Sequence, residues 1–153
     1  MFKNKKGFTL IELLVVIAII GLLSTLAVVA LSSARTKARD SKRTADMKQV
    51  QTAMEMVFSE ANSYVLAGCT SAGNKVSVCT TPLSTYLPNV ANLKDPKGTS
   101  ACATACDGTI TAACDYSVVT VPTSSTYSFC FYLETATGDL AAGAHTVTPA
   151  GIQ

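Results

Sequence analysis

The sequence predicts an α+β fold: a long N-terminal α-helix, membrane-inserted along its first half, whose second half packs on a small antiparallel sheet of about three to four strands. Three observations carry this. Leu13 to Leu31 is nineteen residues without a charge. Met47, Val50, Met54, Val57, Phe58 and Ala61 then recur at intervals of three or four, or fall beside such a position, on one helical stripe. Finally "YSVVTV" (116–121) and "YSFCFYLE" (127–134) are β-branched and aromatic runs joined by "PTSST", the pattern of an antiparallel pair.

The apolar run is interrupted only by Gly21, Ser24 and Thr25. At 1.5 Å per residue it spans about 28 Å, close to the hydrocarbon thickness of a bilayer. A secretory signal peptide is one alternative: Lys3, Lys5 and Lys6 make a basic leader, and Ser32-Ser33-Ala34 resembles a small-residue cleavage site. Against it stand the length of the run and the carboxylate Glu12 at its start. A plain membrane anchor leaves Glu12 unexplained, because a carboxylate there costs on the order of a few kcal/mol, less near the interface.

Charge and cysteine divide the 153-residue chain. Residues 1–61 carry a net +4 and residues 62–153 a net −2, neither basic enough for a nucleic-acid surface. All six cysteines, Cys69, Cys79, Cys102, Cys106, Cys114 and Cys130, lie in the second part. An even number in a Thr/Ser/Ala-rich segment reads as disulfides formed outside the cytoplasm, and no CxxC pair supplies zinc-ligand spacing. Topology signals conflict. Arg35, Lys37, Arg39, Lys42 and Arg43 follow the apolar run and by charge would stay inside. The cysteine-rich remainder places that flank outside, and this is the orientation adopted.

"KKGFTLIELLVVIAIIGLL" closely resembles the class III signal of type IV pilins and of the related pseudopilins of type II secretion. The close match covers residues 3–31, and "ARTKARDSKRTADMKQVQTAMEMVF" resembles the helix continuation in that family. The resemblance implies that a prepilin peptidase cuts between Gly7 and Phe8 on the cytoplasmic face and N-methylates Phe8. It assigns Thr9 and Glu12 to assembly: Glu12 would match the Phe8 amine of a neighbouring subunit, setting axial register. Cleavage removes three lysines, so the mature side chains sum to −1. The new α-amine is largely cationic at neutral pH. Glu12 lies one turn away, where free N–H groups favour a negative charge. An unmatched charge removed from water is strongly unfavourable. Val29 stands where many family members have proline, so melting of the helix after Gly21, which the family shows in filaments, is less secure here.

The implied organisation is a cleaved leader over 1–7, a transmembrane or filament-core helix over 8–31, an amphipathic continuation over 32–62 and a disulfide-tied headgroup over 63–153 with a pilin-like sheet. A helix from Phe8 to Ala61 would stretch about 80 Å, too long for this domain to cover, so its exposed half must meet membrane or other copies of itself. Lys42 with Asp46 and Asp40 with Arg43 read as surface pairs. The helix should end near Asn62-Ser63, and Gly68 marks the loop. Pro82, Pro88 and Pro96 break the following stretch, "DPKG" (95–98) reads as a turn, and Cys69 with Cys79 would close one small loop. Tyr127, Phe129, Phe131 and Leu133 share one strand face toward the helix stripe, and Ala144–Thr148 makes a third strand.

His145 is the sole histidine, so no His-based metal cluster can be assembled within one chain, and no conventional Ser-His-Asp triad is expected. Asp107, Asp115 and Asp139 are the acids available to a calcium site, but their spacing matches no EF-hand. There is no phosphate loop or HExxH, and Lys75, Lys94 and Lys97 are too sparse for a DNA patch. The expectation is therefore a non-enzymatic subunit without metal or cofactor. It waits single-pass in the cytoplasmic membrane and is polymerised into an extracellular type IV pilus serving adhesion, twitching motility or DNA uptake. The resemblance implies as partners further copies of itself, prepilin peptidase, a membrane platform with its assembly ATPase, and the bilayer. The alternatives are a periplasmic pseudopilus of type II secretion, a minor tip pilin, or a secreted disulfide-bonded binding module released by ordinary signal peptidase.

Overall fold

A computed structural model describes residues 7–100 and 105–153. Lys3, Lys5, Lys6 and Cys102 lie outside these. The element order is helix α1 (Leu10–Ala61), a 3₁₀ turn at Val76–Val78, helix α2 (Leu83–Tyr86), a second 3₁₀ turn at Val90–Asn92, then strands β1 (Ser117–Thr120), β2 (Ser128–Leu133), β3 (Gly143–Thr148) and β4 (Gly151–Ile152). The chain divides into two units between Arg35 and Thr36.

In the first unit the backbone is helical through Gly21 and Val29, and every large apolar side chain named from Phe8 to Leu31 is exposed, from 44% at Val16 to 80% at Phe8. The two hydroxyls of the run turn back on their own helix: Ser24 donates to the Ile20 carbonyl at 2.7 Å and Thr25 to that of Leu22 at 2.8 Å. No hydroxyl is thereby left unsatisfied in an apolar surrounding.

The second unit is a helix on a sheet. Met47, Val50, Ala53, Met54 and Val57 of α1 are buried with Tyr127, Phe129, Phe131 and Leu133, the alternate residues along one face of β2 and its approach. Phe58 is only half-buried and Ala61 is exposed, correcting the end of the expected stripe: the helix runs past the sheet's cover before it stops. It stops where Asn62 takes a left-handed conformation (φ 49°) while its N–H still bonds the Phe58 carbonyl at 2.8 Å. The sheet is antiparallel in order β1-β2-β3-β4, with Phe129 opposite Val147 and Phe131 opposite His145. The outer edge of β1 is not open. Val118 donates to the Asn74 carbonyl at 2.8 Å and accepts from Gly73 at 2.7 Å, so the loop before the first 3₁₀ turn blunts that edge.

Disulfides fasten the irregular parts. Cys69–Cys79 closes the loop after α1, where Gly68 (φ 84°) has no room for a Cβ because the Val78 carbonyl occupies that space. Cys106–Cys130 ties the 105–114 segment to β2, and Cys114 is disulfide-bonded too. Ile110, Cys114 and Cys130 form a second small core with Val119, Tyr132 and Ala144 around it. Both faces of the sheet are therefore covered, where the sequence suggested only one.

The main correction concerns Asp40 and Arg43. They are not a surface pair: both side chains are fully buried. Arg43 forks onto Asp95 (Nε–Oδ2 2.6 Å, Nη2–Oδ1 2.9 Å), while Nη1 donates to Asp40 at 2.8 Å and Glu134 at 2.9 Å. Arg39 grips Glu134 with two bonds of 2.7 and 2.9 Å, and Lys97 approaches it at 3.3 Å. Asp40 also accepts the Glu134 and Thr135 N–H groups and the Thr135 hydroxyl. Asp95 is the head of the "DPKG" turn, its Oδ1 taking the N–H groups of Lys97 and Gly98 at 2.8 Å each. Gly98 is required because a Cβ would collide with the Cys114 carbonyl. Three cations and three anions thus lock the start of the packed helix to the turn and to the end of β2. Planar guanidinium geometry makes such forks possible.

Hydrogen bonds from Arg39, which outweigh partial burial, pull the Glu134 carboxyl down to about 2. Burial pushes Asp40 up, but the Thr135 hydroxyl, the Glu134 amide and Arg43 together bring it below the usual carboxylate range. Both acids are more acidic folded than unfolded, so their stabilisation is complete above the unfolded value of about 4 and disappears as pH falls below it. Denaturant midpoints of the full chain in detergent should therefore be level above about pH 5 and drop between about pH 4 and 2, with a shallower drop in Glu134→Gln. Arg43→Ala strands buried carboxylates and should cost about 3–5 kcal/mol in the same unfolding measurement.

Candidate functional site at the start of the helix

Residues Gly7, Phe8 and Thr9 precede the helix and are exposed. Helix α1 begins at Leu10 because Thr9 caps it. The Thr9 carbonyl accepts the first helical bond from Leu13 at 3.2 Å. Its hydroxyl oxygen receives the Glu12 N–H at 3.2 Å. Glu12 reaches back in turn, its Oε2 accepting both the Thr9 N–H at 2.8 Å and the Thr9 hydroxyl at 2.7 Å. This is a reciprocal capping box, which satisfies two N–H groups that a helix start leaves without partners. The Thr-x-x-Glu signature is plain in "TLIE", although on sequence grounds Glu12 stood out for its charge alone.

Two consequences follow for the chemistry of this end. The backbone between Gly7 and Phe8 lies outside the helix, and a Cβ added at Gly7 would meet nothing within 4 Å. The bond is therefore not enclosed by helix backbone, and the two residues it joins are exposed. Both bonds from Thr9 converge on the same oxygen of Glu12, and Oε1 receives neither. In the chain with Gly7 attached, the Phe8 nitrogen is an amide and carries no charge; only hydrolysis of that bond would create a cation one turn from Glu12.

The remaining residues singled out from sequence do not gather here. Gly21 sits within α1 with open space around it. Asp107 is an exposed turn acid, held below the usual carboxylate range by the Thr109 hydroxyl and N–H. Asp115 is buried, accepting the N–H groups of Asp95 and Tyr116 and lying 3.1 Å from Lys75. Asp139 is in the turn before β3. No cluster of three or more metal-ligating side chains occurs among the described residues. His145 lies on β3, its ring nitrogens 3.1 Å from the Gln153 carbonyl and 2.8 Å from that of Ala141. Lys75 is occupied with Asp115 and the Thr99 carbonyl. Lys97 is occupied with Glu134.

Residues 2–28 match the family model described as the prokaryotic N-terminal methylation motif. The type IV wide pilus major component PilA4 of Thermus thermophilus is 45% identical over 62 residues, 40% of this chain and 47% of that protein. The type IV major pilin protein PilA of Myxococcus xanthus is 36% identical over 61 residues, 40% of this chain and 28% of that protein. The match thus spans less than half the length of either relative. No solved structure matches significantly. Over about two-fifths of its length the chain is thus similar to type IV pilins, and the matched methylation motif lies at the start of the exposed apolar helix.

Proposed function

We propose that the chain is a prepilin, a non-enzymatic structural subunit cut between Gly7 and Phe8, N-methylated at Phe8 and polymerised with its own kind into a type IV pilus. The observation that carries this reading is an apolar helix exposed along its whole first unit, whose one acid, Glu12, is held at its very start beside a non-helical Gly7-Phe8 bond. In this reading residues 1–7 are the leader, 8–31 the membrane and filament-core segment, 32–62 its continuation and 63–153 the headgroup. The precursor waits single-pass in the cytoplasmic membrane with the disulfide-tied unit outside.

The chemistry divides into three steps. Hydrolysis by a separate prepilin peptidase converts the Phe8 amide into an ammonium. Thr9 keeps Glu12 folded back at the helix start through Oε2, and Oε1, which takes neither Thr9 bond, would receive the cation. Extraction by an assembly platform and its ATPase then exchanges lipid for neighbouring helices around residues 8–31, so apolar surface never faces water. In that dry surrounding, the ammonium of one copy and Glu12 of another match charges that would each be strongly unfavourable alone. That requirement gives Glu12 its role in register.

Intact mass and N-terminal sequencing of the mature chain should give a start at N-methylated Phe8. A start at Arg35 would instead support a secreted module released by ordinary signal peptidase. Glu12→Ala should still be processed and membrane-inserted but yield few filaments, read by shearing and electron microscopy. A normal filament yield from that variant would remove the register role.

A further inference from the structure

The two flanks of α1 within the second unit carry groups that neither the processing site nor the buried ion cluster uses. Lys42, Asp46 and Gln49 lie on one side of the buried stripe of Met47, Val50 and Met54, and Thr44 and Lys48 lie on the other. On the first side a recess of about 270 Å³ opens between α1 and residues 87–94. Its wall carries three carboxamides, Gln49, Asn89 and Asn92, and two ammonium groups, Lys42 and Lys94. The carboxamides and Lys94 make no side-chain hydrogen bond or ion pair among the described residues. Lys42 has only Asp46, at 4.0 Å, and that carboxylate already accepts the Tyr116 hydroxyl at 2.8 Å. Five N–H donor groups thus surround one partly committed acid, a set whose chemistry calls for a carboxylate from outside. On the second side, the connection from β2 to β3 closes on a two-residue tip, Gly138 and Asp139. Thr137 and Leu140 exchange backbone bonds of 2.9 and 3.2 Å around it, and Gly138 has the positive φ (61°) that the first position of such a tip favours. The tip lines another recess together with Thr44 and Lys48.

We propose that the Asp139 tip of one copy seats in the Lys42–Lys94 recess of the next. The inference rests on the filament reading above and names a contact between second units within it. Charge selects the occupant. Of the exposed acids of the second unit, Glu55 accepts the Tyr64 hydroxyl, Glu60 bonds the Tyr86 hydroxyl, and Asp107 accepts the Thr109 hydroxyl and N–H. Asp139 alone makes no hydrogen bond or ion pair among the described residues. It lies across the helix from the recess of its own chain, so only another copy can bring the two together. The lysine ammonium groups take its carboxylate, and the carboxamides have N–H groups for the remaining lone pairs. Tip and recess are different surfaces on opposite flanks, so the contact is head-to-tail and repeats without using one surface twice. Asp95, next to Lys94, is held by Arg43, which sets the two lysines level with residues 42–43 of the helix, whereas the tip is level with residues 44–48. Each contact therefore moves the next copy a few residues along the axis, and the repeat opens into a helix instead of closing as a ring.

Charge exchange in the full chain tests this, read by filament yield, with precursor level and disulfide content as folding controls. Both side chains to be exchanged, Lys94 and Asp139, are exposed, so folding should be unaffected. Asp139→Lys alone and Lys94→Glu alone should each lower yield about tenfold through like-charge contact repeated at every subunit. The two substitutions in one chain should restore most of it, because tip and recess have traded charges. Asp139→Lys with Lys48→Glu, which stands beside the tip in its own chain, should not. In wild-type filaments a carbodiimide should join Asp139 to Lys94 or Lys42 as an amide, found by mass spectrometry of the digested product. Normal yield from either single variant, no recovery in the exchanged pair, recovery through Lys48→Glu, or filaments without that amide would each overturn the contact while leaving the filament reading intact. A wild-type chain that forms no filaments would overturn both.

Discussion

Apolar surface that the chain cannot bury by itself is the constraint to which everything else answers. From Leu10 to Leu31 the helix presents large side chains outward, and no second layer among the described residues covers them. At about 25 cal/mol per Å² of apolar area, leaving such a segment in water is strongly unfavourable, so its only stable surroundings are lipid or other helices. The Ser24 and Thr25 hydroxyls are bonded to their own backbone, which lets this part of the segment move between those surroundings without side-chain hydroxyls to re-satisfy. Glu12 is the exception. Its charge sits at the capped start with one oxygen accepting from Thr9, and under the proposed function it is the charge that the ammonium of a correctly placed neighbour would match.

The second unit meets the opposite problem, a buried charge cluster, by matching charges within itself. Arg43 is wholly enclosed, and its forked bonds to Asp95 with further bonds to Asp40 and Glu134 hold together three stretches distant in sequence. Such clusters confer a unique arrangement more than net stability, because desolvation offsets most of the attraction. Here the arrangement fixes where the turn at Asp95 and the end of β2 meet the helix. The aromatic series Phe58, Tyr64, Tyr127 and Phe129, with centroids 4.6, 4.9 and 5.1 Å apart in succession, fills the other end. The outward face of α1 stays free between these fixed ends.

The fold was legible in the sequence where one local rule decided. Period 3.6 marked the buried side of α1, period 2 marked β2, and Asn62 marked the stop. The four-strand order needed nothing beyond short connections. What stayed hidden depended on partners far along the chain. Asp40 and Arg43 look like an ordinary i, i+3 surface pair; only Asp95, 52 residues on, and Glu134, 91 residues on, make their burial tolerable. The covering of the sheet's outer face by the 105–114 segment was equally invisible, because Cys130 shows its direction only once β2 has a register. At the candidate site the motif matched over residues 2–28 was readable as a stretch, whereas the capping role of Thr9, though present in "TLIE", emerged only from the hydrogen bonds.

The most direct measurement is an internuclear distance in assembled filaments grown from two differently labelled populations. One carries nitrogen-15 at the amine of Phe8 and the other carbon-13 at the carboxyl of Glu12, so that dipolar recoupling in the solid state detects only contacts between copies. Charge matching across copies predicts a nitrogen–carboxyl separation of about 4 Å, that of an ion pair. The absence of any such coupling, in filaments whose integrity is confirmed by microscopy, would contradict it.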